Sequence, residues 1–175
     1  MVKNKVSVIA VCIIAVSLFV FPVFASAEQP SYGFNAGNYE FTLSGNGSSD
    51  HSLKRTDFST SLGLGYFPMD NLEVAIRQSI GLNDRENSSW SGASVLAIDY
   101  HFNLGQVQPL LGANFGYSYG EGIEDEWGAG PEAGLKVFLN STTFIRALVQ
   151  YEFPVNGSLN SDGRFIYGLG LGLKF

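Results

Sequence analysis

The sequence predicts an all-β protein, an eight-stranded antiparallel up-and-down barrel that spans a membrane, preceded by a cleaved signal peptide. Three observations carry this expectation. The final stretch, Gly163 to Phe175 (GRFIYGLGLGLKF), alternates strictly. Phe165, Tyr167, Leu169, Leu171, Leu173 and Phe175 lie on one face, and Arg164, Ile166, Gly168, Gly170, Gly172 and Lys174 on the other. The same alternation recurs along the chain in segments of about ten residues, the length a tilted strand needs to cross a bilayer. The connections between these segments alternate long and short, the arrangement of barrels with short turns at one end and longer loops at the other. A soluble sandwich would invert the faces, with bulk inside and polar groups outside. Here the bulky face suits lipid, and the glycine-rich face suits a cramped lumen.

Composition agrees. Of 175 residues, 14% are aromatic, 21 are glycine and only 15% are charged, a mix that favours an aromatic-belted β protein. The net charge of −6 comes without any basic patch, which argues against nucleic acid as a partner. Residues 1–27 read as a signal peptide: Lys3 and Lys5 supply the positive start, Val6 to Phe24 is apolar, and Ala25-Ser26-Ala27 fits small-x-small cleavage. Cys12 is the single cysteine and lies inside this segment, so the mature chain has no thiol chemistry and no cysteine metal site. Removing Lys3 and Lys5 from ten basic residues leaves eight against sixteen acids, a net of −8. No later stretch is long and apolar enough for a transmembrane helix, so any spanning structure is a barrel.

Residues 28–37 are a short polar lead-in, and residues 38–175 form the barrel. The first strand starts at Asn38, with Tyr39, Phe41 and Leu43 opposite Glu40, Thr42 and Ser44, and the run Gly45 to Asp50 breaks it. The second, Asp57 to Phe67, leads through Pro68-Met69-Asp70-Asn71 into the third, Leu72 to Leu82, whose apolar face is interrupted by Gln78. After the polar loop Asn83 to Ser91 come the fourth strand, Gly92 to Leu104, the turn Gly105-Gln106-Val107, and the fifth strand, Gln108 to Tyr119. The acidic loop Gly120 to Glu126 precedes the sixth strand, Trp127 to Leu139, which Pro131 weakens. The turn Asn140 to Thr142, the seventh strand Thr143 to Phe153 and the loop Pro154 to Asp162 lead to the terminal strand.

Placing the greasy face outward assigns the charges without further choice. Glu40, Glu73, Asp99, Glu132 and Glu152 point inward, as do Arg77, Lys136, Arg146, Arg164, Lys174 and His101. Five acids against five bases is the balance a narrow lumen needs, because buried charge is tolerated only when paired. None of them falls on the lipid face, where an Arg or Lys at mid-depth costs about 2–4 kcal/mol. The expected network centres on Arg77 and Arg146, partnered by Glu40, Glu73, Glu132 and Glu152. Eight strands leave room for little beyond side chains, so an open pore is not expected. Aromatics mark two interfaces: Tyr66, Phe67, Tyr100, Phe102, Phe138 and Phe175 near the turns, and Trp90, Tyr117, Tyr119, Trp127, Tyr151 and Phe153 near the loops.

Three features carry a resemblance: the signal ending Ala25-Ser26-Ala27, the Tyr66 to Leu72 strand–turn–strand, and the terminal YGLGLGLKF of Tyr167 to Phe175. With them the chain resembles the OmpA/OmpX-type eight-stranded outer-membrane β-barrels of Gram-negative bacteria, a porin-like superfamily. The resemblance covers the mature chain as a pattern. It implies a bacterial outer-membrane location and a monomer surrounded by outer-membrane lipid and lipopolysaccharide. It also implies that Tyr167, Leu169, Leu171, Leu173 and Phe175 are the signal read by the barrel-assembly machinery. The peptidoglycan-binding domain that some relatives append is not expected here.

Enzymatic readings are weaker. His101 shares a face with Asp99, and Ser79 or Ser118 could complete a triad, but His101 points away from lipid and reads as a satisfied lumen histidine. His51 lies in a polar loop, and a lone histidine is no metal site. Glu121, Glu124, Asp125 and Glu126 lack EF-hand spacing and read as a solvated run, although divalent cations are the ligand they would take. The glycines of the last strand precede no helix and bind no phosphate. No cofactor, metal or catalytic residue is expected. The function expected is non-enzymatic, exerted through extracellular loops in adhesion, surface protection or envelope integrity. A narrow porin-like channel, a lipid-A-modifying enzyme and a soluble periplasmic binder are the alternatives.

Overall fold

The computed structural model describes residues 32–50, 56–83, 89–121, 125–155 and 163–175. The signal peptide, residues 28–31 of the lead-in, His51 and Glu124 lie outside the described residues. Eight strands close into one antiparallel barrel: β1 (Tyr39–Asp50), β2 (Thr56–Met69), β3 (Leu72–Asn83), β4 (Ser89–His101), β5 (Val107–Gly120), β6 (Glu126–Phe138), β7 (Thr143–Pro154) and β8 (Arg164–Lys174). Each strand pairs with its sequence neighbours, and β8 returns to β1, with Glu40 opposite Lys174 and Asp50 opposite Arg164. The turns at Asp70-Asn71, 102–106 and 139–142 share one end with both described termini; the opposite strand ends form the other. These are called the turn end and the loop end.

The alternation places the side chains as polarity requires. Leu43, Ile76, Ile80, Leu96, Ile98, Leu111, Leu169 and Leu171 face outward, each at least half exposed. Glu40, Glu73, Asp99, Glu132 and Lys136 face inward and are buried. No helix among the described residues is long and apolar enough to cross a membrane, and the exposed apolar belt on a closed sheet is the alternative way to meet lipid. Gln78, the polar interruption on the outer face, is satisfied there. Its amide donates to the Tyr119 hydroxyl at 2.7 Å and the Ala93 carbonyl at 3.0 Å, and accepts from Ser94 at 2.6 Å.

The structure corrects several element bounds. Gly45 to Asp50 is not a break but the second half of β1, with Gly45 opposite both Thr60 and Leu169 and Gly47 opposite both Phe58 and Tyr167. Neighbours on both sides satisfy the backbone, and the Tyr167 ring lies over Gly47 where a Cβ would otherwise stand. At 11 to 14 residues the strands exceed the expected ten, so the loops are correspondingly shorter. The fourth strand ends at His101 rather than Leu104, because residues 102–106 turn through Gly105 at φ 78°. Pro131 does sit in β6, at a gap in the β7 ladder between the pairs Ala129–Phe153 and Glu132–Gln150, where its missing N–H is not required.

Two aromatics assigned to the turn-side girdle are inside the barrel instead. Phe67 and Phe138 are wholly buried. Phe67 keeps the inward parity of Gly63 and Gly65 on β2, and Phe138 that of Lys136 on β6. With Phe34 from the lead-in and Phe144 from β7 they form one cluster at the turn end. The lead-in is held there by backbone bonds, Gly37 N–H to the Phe67 carbonyl at 2.8 Å and Asn71 N–H to the Phe34 carbonyl at 3.1 Å.

Candidate functional site

The lumen is filled in layers from the turn end upward. The lowest is aromatic: Phe34 lies 5.5 Å from Phe138, 5.8 Å from Phe144 and 5.2 Å from the His101 ring, centroid to centroid. Directly above, the Lys136 ammonium sits 4.6 Å from the Phe34 ring centroid and 5.1 Å from that of Phe144, within cation–π range. The same ammonium donates to Glu40 and, at 3.0 Å, to Glu73. Glu73 also lies 2.9 Å from His101 Nε2. A lysine is compatible with this depth because two carboxylates and three ring faces replace its water.

The next layer is organised by Arg77. Its guanidinium donates to Asp99 at 2.7 Å and to both oxygens of Glu132, at 3.0 and 2.6 Å, a bidentate fork. Gln150 adds a third donor to Glu132 at 2.7 Å. Arg146 approaches the same level but reaches only Glu40, at 3.8 Å. Nearest the loop end, Arg164 donates to Glu152 at 2.5 Å and to the Ser118 hydroxyl at 2.8 Å. Lys174 lies at the opposite end, where its ammonium donates to the Gly33 carbonyl at 2.8 Å.

The partners thus differ from those expected. Arg77 takes Glu132, but its second acid is Asp99. Glu73 belongs to Lys136 and His101, and Glu152 belongs to Arg164. Lys136, which the sequence placed inward without further weight, is the centre of the lower network. The physical reason is strand tilt: alternation fixes which face a residue takes, whereas tilt and stagger fix its depth. Phe34 and Phe144 were missed altogether, although the inward parity of Phe67 and Phe138 was a readable sign of an aromatic layer.

The triad partners considered for His101 are elsewhere. Ser118 is engaged with Arg164, and Ser79 pairs with Ala93, eight residues before His101 on β4, or roughly 26 Å along a strand. Among the described residues of the acidic loop, Asp125 accepts a hydrogen bond from the Tyr117 hydroxyl at 2.9 Å. No group of three potential metal ligands occurs among the described residues. The residues Tyr167, Leu169, Leu171, Leu173 and Phe175 all lie on the outer face, exposed.

Above the Arg77 layer the lumen opens into a cavity of about 180 Å³. Three arginines line it, Arg77, Arg146 and Arg164, with Glu152 the single carboxylate; the rest of the wall is mostly serine, glycine and small apolar side chains.

No family model and no curated protein matches the chain. Solved structures do. The outer membrane protein OprG from Pseudomonas aeruginosa superposes with a TM-score of 0.62 at 17% identity, over 85% of this chain and 99% of that one. The fold is that of the small bacterial outer-membrane β-barrels. The N-terminal β-barrel domain of Pseudomonas aeruginosa OprF gives 0.60 at 20% identity, over 81% of this chain and 100% of that one. Ail, the attachment invasion locus protein of Yersinia pestis, gives 0.54 at 16% identity, over 80% and 99%. At such identities the likeness is one of fold.

Proposed function

We propose that this chain is a monomeric integral protein of the bacterial outer membrane. Its lumen is plugged by side chains, and it acts without catalysis through the surface at its loop end. Lipid and lipopolysaccharide surround the belt, and the loops meet an extracellular ligand in attachment, surface protection or envelope integrity. The observation that carries the reading is the two-layer closure at the turn end. Phe34, Phe67, Phe138 and Phe144 pack into one buried cluster, and the Lys136–Glu40–Glu73–His101 group fills the section above. A lumen so filled supports a rigid post rather than a passage. Attachment as the loop role takes support from the like fold of the attachment invasion locus protein. The terminal face of Tyr167, Leu169, Leu171, Leu173 and Phe175 serves as the signal for the barrel-assembly machinery.

Planar-bilayer recording of the purified, folded protein tests the closure. Silence is expected; discrete conductance steps would establish the second reading, a narrow channel. The specific observation favouring that reading is the cavity in the loop half of the lumen. A lipid-modifying activity is opposed by the placement of His101, wholly buried and held against Glu73. Unchanged lipid A in mass spectra of cells with and without the protein is the expected result.

A further inference from the structure

We infer that the loop-end half of the lumen is a binding site for a small soluble oxyanion, a carboxylate, phosphate or sulfate group, gripped by Arg146. This goes beyond the loop-borne role proposed above and stands whether or not the barrel conducts.

The inference starts from an imbalance between two neighbouring arginines. Arg77 makes three charge-assisted hydrogen bonds, to Asp99 and Glu132. Arg146 is equally buried, at 4% exposure, yet makes no hydrogen bond among the described residues; its nearest carboxylate oxygen is on Glu40, 3.8 Å away. A guanidinium carries five donors in a planar fork, and a buried charge of this kind is ordinarily matched by acceptors at hydrogen-bond distance. Arg146 lines the cavity, and so does Arg77, whose Nε is buried without a partner. One guanidinium without a hydrogen-bond partner, that of Arg146, therefore lines this space, beside the single unpartnered nitrogen of Arg77.

The wall of that space is electropositive. Three arginines line it against one carboxylate, and Glu152 is itself taken by Arg164. Asp99 and Glu132 hold Arg77 from outside the cavity lining. A cation would meet repulsion, whereas an oxyanion would meet a fork suited to bidentate contact. Ser61, Ser79 and Gln150 add neutral polar groups around it. At about 180 Å³ the cavity holds on the order of ten waters, enough for an acetate, phosphate or sulfate with part of its shell, or for a sugar bearing such a group. The aromatic and Lys136 layers close the way from the turn end, so the ligand enters from the loop end. The β-wall separates it from the lipid phase.

The test uses the full mature chain folded in detergent and in lipid nanodiscs. Acetate, inorganic phosphate and sulfate are titrated at constant ionic strength, with chloride as the reference. Calorimetry follows binding, and guanidinium NMR shifts locate it. Saturable binding of at least one oxyanion is expected, with Arg146 signals moving first. Arg146→Gln is expected to weaken it at least tenfold. Val95→Trp fills the cavity from an uncharged lining position; it is expected to abolish binding and carries the test should Arg146→Gln fail to fold. No saturable binding, or equal affinity in folded Arg146→Gln, would overturn the inference, as would binding undiminished by Val95→Trp. Repeating the titration in nanodiscs containing lipopolysaccharide separates sources: unchanged affinity supports a soluble anion, and competitive loss assigns the same site to a lipid-borne phosphate.

Discussion

Phe34 stacks on Phe67 with ring centroids 4.1 Å apart and planes within 4° of parallel. One ring comes from the segment before the first strand and the other from the second strand, so this contact makes the lead-in part of the barrel. It also sets the ceiling of the aromatic layer against which the Lys136 ammonium rests.

Phe34→Ala should therefore behave as a core truncation, not as a change in a tail. A loss of about 3–5 kcal/mol is expected, seen as a lower urea midpoint of the detergent-folded barrel. Phe34→Leu should lose much less, because it keeps most of the volume. Equal midpoints for wild type and Phe34→Ala would show that the lead-in contributes nothing to stability.

Lys136→Met should be more damaging than its loss of one charge suggests. It leaves Glu40 and Glu73 buried beside each other without their shared ammonium, a situation that costs about 3–5 kcal/mol. Combining it with Glu40→Gln and Glu73→Gln should recover most of that loss, since the cost lies in the uncompensated charges. Unfolding in urea with all the variants in one detergent decides the matter; a triple variant weaker than Lys136→Met would contradict the assignment of Lys136 as the hub.

Gly172 stands opposite both Thr42 of β1 and Phe144 of β7. A Cβ there would run into the Phe144 ring. Gly172→Ala is expected to cost about 1–3 kcal/mol by overpacking, and Phe144→Leu in the same chain should relieve it. Additive losses from the two changes in a double-mutant cycle would refute the contact.

Phe175 closes the seam, exchanging backbone bonds with Tyr39 at 2.7 and 3.0 Å while its ring stacks on that tyrosine at 6.0 Å. If the terminal face is an assembly signal, Phe175→Ala should lower the amount inserted in the outer membrane of cells severalfold while refolding in detergent proceeds nearly as before. Equal losses in both settings would reduce Phe175 to a structural residue.

The architecture was legible because lipid and lumen impose opposite demands on successive side chains. Leu169 and Gly170 could not exchange roles without burying bulk and exposing a gap. Depth was not legible. Nothing in the local sequence says that Lys136 and Glu40, 96 positions apart, meet at one level, since that follows from the stagger of the whole sheet. Gly45 to Asp50 misled for a related reason: its composition is that of a turn, and only its two flanking strands make it a strand. Phe34 was hidden because its partners come from β2, β6 and β7, none of them near it in sequence.

The seam between β1 and β8 joins residues more than a hundred positions apart, from Asp50 with Arg164 to Glu40 with Lys174. Such pairing is slow, because nearly the whole chain must be ordered before its ends can meet. Until the last strand arrives, β1 presents an open row of backbone donors and acceptors to any other chain. Closure is thus the event that ends the period of self-association risk.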